Sequence, residues 1–149
     1  MQALVHDLLT QRKQTLATAE SCTGGAIASR FTTMAGASAY FNGGVIAYAN
    51  EVKIGILGVK AEDIERYGAV SESVARQMAD GARRATGSDY AIATTGIAGP
   101  TGGSEAKPVG TVWMAVATPT KTIAVMRNSG TDRGQIISRA SAYAIRPLN

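Results

Sequence analysis

Histidine and cysteine are nearly missing from this chain, which carries one of each, His6 and Cys22. A single cysteine excludes an internal disulfide and any paired-cysteine metal site. With one histidine beside it, a His/Cys zinc cluster cannot be assembled either, so no metal ligands and no cofactor are expected. Aromatic residues are few, and the two Phe and one Trp are not interleaved with basic residues. Basic residues are scattered, with no run longer than the pairs Arg12-Lys13 and Arg83-Arg84. The basic stripe that tracks a nucleic-acid backbone is therefore missing, and nucleic acid is not an expected partner. No apolar run approaches membrane-spanning length, and the N-terminus lacks a basic-then-apolar leader. A cytoplasmic protein with no membrane partner is expected.

What is present describes a compact α/β chain. Its 149 residues are one domain's worth, and 45% hydrophobic against 17% charged residues is a globular balance. A net charge of +4 suits a small anionic ligand such as a phosphorylated substrate. Leu4, Val5, Leu8 and Leu9 mark an amphipathic helix over Gln2–Arg12, with His6 on its surface. Thr15–Ala19 reads as a short buried strand, and Gly25–Thr33 as a helix packed closely on a sheet. Ala39–Ala49 is expected to be the next strand, with a bulge or a close backbone approach at Gly43-Gly44. Asn50 is expected to cap a short helix ending near Gly58, and Ala61–Arg66 adds another turn or two. Ser71 caps the clearest helix, whose stripe of Val74, Ala75, Met78, Ala79, Ala82 and Ala85 stops at Gly87. Tyr90–Thr94 is a strand, Thr95–Pro108 a glycine-rich loop, and Val109–Thr118 with Thr122–Arg127 a hairpin turning at Pro119-Thr120-Lys121. Thr131 or Asp132 opens a last helix with Ile136, Ile137, Ala140 and Tyr143 inward. Helices alternating with about five strands predict a mostly parallel, mixed sheet covered on both faces.

Two stretches carry chemistry. In Thr18-Ala19-Glu20-Ser21-Cys22-Thr23-Gly24-Gly25 a buried strand ends in hydroxyls, a carboxylate and two glycines before a helix. Such a turn exposes backbone N–H groups suited to an oxyanion, and Ser21 is the candidate nucleophile. A serine needs a base, and His6 is poorly placed. A desolvated lysine can serve instead, and Lys53, in a small apolar helix just past a strand end, is the best placed. Tyr48 can relay a proton or hold that lysine. The plainer alternative makes Ser21 and Thr23 caps and Lys53 a surface residue; spacing alone favours it by roughly two to one, because capping serines outnumber nucleophiles. Cys22 reads as a small buried hydrophobe, and Glu20 as a hydrogen-bonding support or a helix-terminal charge. The second stretch, Thr94 to Ser104, holds Gly96, Gly99, Gly102 and Gly103, which can turn N–H groups toward an anion. It matches neither common nucleotide-binding fingerprint. Its place after a strand C-terminus is where open α/β sheets bind ligands, which weighs slightly against a floppy surface loop. Lys107 and Arg133 are possible phosphate contacts, each also readable as a solvated charge.

Six segments together resemble the CinA C-terminal domain family: Thr18–Gly25, Tyr40–Val45, Tyr48–Lys53, Gly68–Glu72, Thr95–Pro100 and Lys107–Thr111. They stand in the family's order and span nearly the whole chain. The resemblance implies a three-layer α/β/α sandwich with a mixed five-stranded sheet, found in homodimers or higher homo-oligomers. It implies an amidohydrolase converting nicotinamide mononucleotide to nicotinate mononucleotide and ammonia without metal. Ser21 is the implied nucleophile, Lys53 the base and Tyr48 their neighbour. Thr23, Gly24 and Gly25 would be oxyanion donors. Glu20, Asn42, Thr95, Gly96, Ala98, Gly99, Gly102 and Gly103 complete the substrate-binding set. Arg133 joins it through a Gly-Asp-Arg-like segment that here carries an inserted Thr131. Two other classes remain open: a nucleotide-binding module without catalysis, and a competence- or DNA-damage-associated protein.

Overall fold

The computed structural model describes residues 1–146. Its elements follow the chain as α1 (Gln2–Arg12), β1 (Leu16–Glu20), α2 (Ala26–Thr32), β2 (Phe41–Ile46), α3 (Asn50–Gly55), α4 (Ala61–Tyr67), α5 (Glu72–Thr86), β3 (Tyr90–Gly96), β4 (Thr111–Ala117), β5 (Thr122–Asn128) and α6 (Arg133–Ile145). The strands form one sheet in the order β2-β1-β3-β4-β5. β1 pairs in parallel with both β2 and β3, whereas β3–β4 and β4–β5 are antiparallel. Strand β4 alone therefore runs against the other four, the mixed and mostly parallel sheet that alternating elements predict.

The two faces of the sheet are packed differently. One carries Leu16, Ile92, Met114 and Val116 against Val5 and Leu9 of α1, Ile27 and Phe31 of α2, and Ile136 and Ile145 of α6. The other carries Ala17, Ala19, Ala91, Ala93, Ala115 and Ala117 against Ala75, Met78, Ala79 and Ala82 of α5. Small side chains on both partners let α5 lie close to the strands. Gly81 extends this to the segment after α3, since a Cβ there would stand 2.0 Å from the Leu57 carbonyl oxygen. That contact draws α3 against the core.

Local signals hold where the chain's own chemistry is strong. Ser71 Oγ accepts from Val74 N at 3.3 Å and Gly87 ends α5 in the left-handed region. Asp132 caps α6 by accepting from Gln135 N at 3.1 Å. At Thr118–Lys121 the Thr118 hydroxyl accepts from two turn N–H groups, closing the hairpin. The expected bulge is present: pairing shifts between Leu16 and Ala17, leaving Asn42 as the extra residue of β2. The close approach is present too, with the Thr18 side chain filling the space where Gly44 would carry a Cβ.

Other expectations are corrected. β2 is shorter than Ala39–Ala49 because Ala37–Ala39 form a 3-10 turn and the chain leaves the sheet after Ile46. Ala49, not Asn50, stands at the N-cap of α3, and no side chain caps it. Val109 and Gly110 precede β4, Gly110 turning with φ near 97°. Leu4 and Ala85 face outward, beyond the reach of the sheet. His6 is half-buried, its Nδ1 2.9 Å from the Tyr40 hydroxyl. No helix among the described residues is long and apolar enough to cross a membrane.

Candidate active site

The chain passes from β1 to β2 through α2 on one face, and from β2 to β3 through α5 on the other. The C-terminal ends of β1 and β3 are thus neighbours at a switch in winding, where open α/β sheets form a crevice. Glu20 pairs with Thr94 in register, and Ser21 N continues the ladder by donating to Thr94 O at 3.0 Å. This sets the Ser21 turn level with the start of the glycine-rich loop.

A cavity of about 340 Å³ occupies the crevice. It is lined by Ser21 and Cys22 from the β1 turn, by Tyr48, Asn50 and Lys53 from the β2–α3 segment, and by Ala69 and Val70. Thr95 and Gly96 at the end of β3, which runs past the expected Thr94, Ile97 to Gly99, Thr101 and Gly102 of the loop, and Arg133 at the start of α6 close the remaining sides. No carboxylate is among the lining residues, and two cations are. Among the described residues no group of three or more His, Cys, Asp or Glu is arranged to hold a metal ion.

Lys53 is 1% exposed although it belongs to a one-and-a-half-turn helix. Among the described residues its Nζ makes one hydrogen bond, donating to Tyr48 O at 3.1 Å. The ion pair found among the described residues, Arg76–Glu72, does not involve it. Burial therefore pushes the Lys53 ammonium below the ordinary lysine value, with nearby Cys22 and Glu51 only partly offsetting the loss of water. Ser21 is 8% exposed, and its Oγ opens on the cavity without a hydrogen-bond partner among the described residues. Cys22 stays a thiol: burial pushes it up to about 12, against the lowering by its own backbone, and the Glu20 charge adds to the rise. It does not compete with Ser21 as a nucleophile.

Arg133 bridges the mouth. Its guanidinium donates to Gly99 O at 2.6 Å and to the Tyr48 hydroxyl at 3.0 Å. Thr131 lies in the loop before the Asp132 cap, and Arg133 at the first turn of α6 reaches the cavity. Thr95 Oγ1 donates to Ala69 O at 2.8 Å, tying the end of β3 to the segment before α5. Gly96 has no room for a side chain, since a Cβ would sit 2.6 Å from Val112 and 3.0 Å from Cys22 Sγ.

Of the residues singled out in the sequence, the structure gathers Ser21, Lys53, Tyr48, Thr95, Gly96, Ala98, Gly99, Gly102 and Arg133 around this cavity. Others lie elsewhere. Thr23, Gly24 and Gly25 do not line it, because the chain turns inward into α2: Gly24 N donates to Ser21 O at 3.0 Å and Thr23 O accepts from Ala26 N at 2.9 Å. Glu20 lies behind the turn, 1% exposed. Asn42 is near the start of β2, donating to Ser88 Oγ at 2.8 Å, at the far end of β1 from Ser21. Gly103 packs on Val109, and Lys107 donates to Tyr67 O at 2.5 Å, both outside the lining. Asn50, Thr101, Ala69 and Val70 were not read as site residues; the first follows Tyr48 in a motif and the last two precede the Ser71 cap.

A buried lysine and an unbonded serine lining one cavity at the crevice of an α/β/α sandwich define a candidate Ser-Lys site. The chain belongs to the CinA C-terminal domain family, which matches residues 1–149. A CinA-like protein of Fervidobacterium nodosum is 47% identical over 97% of this chain, which covers 35% of that relative. The chain thus spans about a third of the length of the curated relatives it matches. Among solved structures, the competence/damage inducible protein CihA of Agrobacterium tumefaciens superposes with a TM-score of 0.95 at 38% identity, covering 98% of this chain and 90% of that one. A CinA superfamily protein of Escherichia coli gives 0.93 at 35% identity, with 98% and 84% covered.

Proposed function

We propose that this protein is an amidohydrolase that converts nicotinamide mononucleotide to nicotinate mononucleotide and ammonia. The observation that carries the reading is Lys53: buried, held by one carbonyl, and shifted toward its neutral form in the cavity onto which Ser21 opens. Neutral Lys53 takes the Ser21 proton as Oγ forms a bond to the carboxamide carbon. The carbonyl oxygen gains the charge. The N–H groups of Ala98 and Gly99, which line the cavity and have no acceptor among the described residues, would serve as donors to it. As the C–N bond breaks, Lys53 passes its proton to the departing nitrogen and ammonia leaves. Water then attacks the acyl-enzyme, gives a proton to Lys53, and releases the carboxylate as Ser21 regains its proton. Arg133 and the turn at Gly99–Gly102 supply a positive, donor-rich rim for the ribose phosphate, consistent with a lining free of carboxylates.

Incubation with nicotinamide mononucleotide should release ammonia and the nicotinate product in equal amounts. Binding measured by calorimetry with no ammonia formed would make the domain a nucleotide-binding module instead. An assembly of identical copies is proposed alongside, and sedimentation measures it directly.

A further inference from the structure

Glu20 is 1% exposed and lies one residue before Ser21, so it is the obvious rival to Lys53 as a base. Its hydrogen bonds exclude that role. Oε1 accepts from Thr23 Oγ1 at 2.7 Å and from Ile27 N at 2.9 Å, while Oε2 accepts from Ala28 N at 3.0 Å. Thr23 Oγ1 also stands 2.7 Å from Thr94 Oγ1. Thr23 has one hydroxyl proton; if it goes to the carboxylate, Thr94 must be the donor in that second bond. The main chain of Glu20 is held as well, its carbonyl accepting from Ala47 N at 2.8 Å. One side chain thus ties the end of β1 to α2, and through Thr23 to β3, around the residue that presents the hydroxyl.

We infer that Glu20, acting through Thr23, is the positioning residue that aims Ser21 into the cavity and withdraws the first N–H groups of α2 from the reaction. This rests on the amidohydrolase reading. The carboxylate spends its acceptors on N–H and O–H groups inside the fold. It is absent from the cavity lining and from the charges that act on Lys53. Ile27 and Ala28 N–H are occupied by Glu20, Ala26 N–H by Thr23 O and Gly24 N–H by Ser21 O. None of these four N–H groups is available to the oxyanion.

The test compares Glu20→Gln, Thr23→Val and Thr23→Ser with the parent, each checked for folding by circular dichroism at the assay temperature. Two readouts are used: steady-state turnover of nicotinamide mononucleotide over pH, and the rate at which a fluorophosphonate labels Ser21. The second needs no particular substrate. Glutamine places an NH2 against an N–H donor and loses one bond, so kcat and labelling should fall about 10- to 100-fold, with KM within about threefold and the acid limb of the pH profile unmoved. Thr23→Val should behave alike, and Thr23→Ser, which restores the hydroxyl, should recover most of the loss. Folded Glu20→Gln with parental kcat and labelling overturns the inference, as does a shifted acid limb, which would make Glu20 an electrostatic partner of Lys53. A parent that is labelled but inactive on the mononucleotide removes that substrate while leaving the positioning test intact. A parent that is neither labelled nor active overturns both readings.

Discussion

Glu20 at the end of β1 and Lys53 in α3 are equally buried, each 1% exposed, yet the fold treats them in opposite ways. Glu20 accepts three hydrogen bonds through both of its oxygens. Lys53 donates one, to a main-chain carbonyl, and burial lowers its pKa. A buried charge with hydrogen bonds to both of its oxygens is largely compensated and serves the structure. One left with spare protons and little compensation is driven toward its neutral form, which is the state a base needs. On the proposed function, the difference between the two residues divides the work of the site, with support behind Ser21 and chemistry in front of it.

The largest effect that can break this division is loss of the nucleophile. Ser21→Ala should remove activity by about 10³-fold or more while leaving the melting temperature near the parent's, because no intramolecular hydrogen bond of Oγ is lost. Ammonia release at the parent rate would end the Ser-Lys reading. Lys53→Arg should be nearly as damaging, since arginine stays charged at any assay pH. The pH profile of kcat/KM should rise as Lys53 loses its proton, with a midpoint below the ordinary lysine value of 10.5. A midpoint at or above that value would show that the lysine is not desolvated.

Stability sharpens the comparison, because the two residues should move it in opposite directions. The native pKa of Lys53 lies below its unfolded value, so the unfolded chain holds the extra proton between the two and stability rises with pH across that window. Lys53→Met, which removes the buried ammonium, should raise stability by about 1 kcal/mol at neutral pH, a gain that fades above the ordinary lysine value. Glu20→Gln should lower it by about 1–3 kcal/mol, because Ala28 N–H is left facing a donor. Denaturant midpoints for the two variants measure both signs, and a shift in the same direction would dissolve the contrast. Gly81→Ala should cost about 1–3 kcal/mol by pushing α5 off the Leu57 carbonyl, with a smaller loss of activity as α3 loosens. The smallest expected effect is at the rim: Arg133→Ala should raise KM about tenfold and leave kcat within a few-fold.

Much of the architecture was legible because local chemistry specifies it. The α5 stripe, its Ser71 cap and Gly87 stop, the Asp132 cap and the Thr118 turn each depend on residues a few positions apart. The errors lie where neighbours distant in sequence decide. Leu4 fits a helical stripe but finds no sheet beneath it, and Asn42 sits in a matching motif yet is spent at the bulge on Ser88. Gly24 stands in a donor-rich turn, but its N–H is spent within that turn on Ser21 O.

The sequence by itself determined an α/β protein and offered a serine at a strand-to-helix turn, a lysine in an apolar helix and a glycine-rich loop as its candidate chemical parts. Those follow from residue types at short spacing. Only the tertiary structure decided that the three share one crevice, that Arg133 closes it, and which buried charge is held and which is free. Partnering and desolvation are sums over every group within a few ångströms, and here those groups come from β1, β2, β3, α2, α3 and the loop after β3, which only the folded sheet brings together.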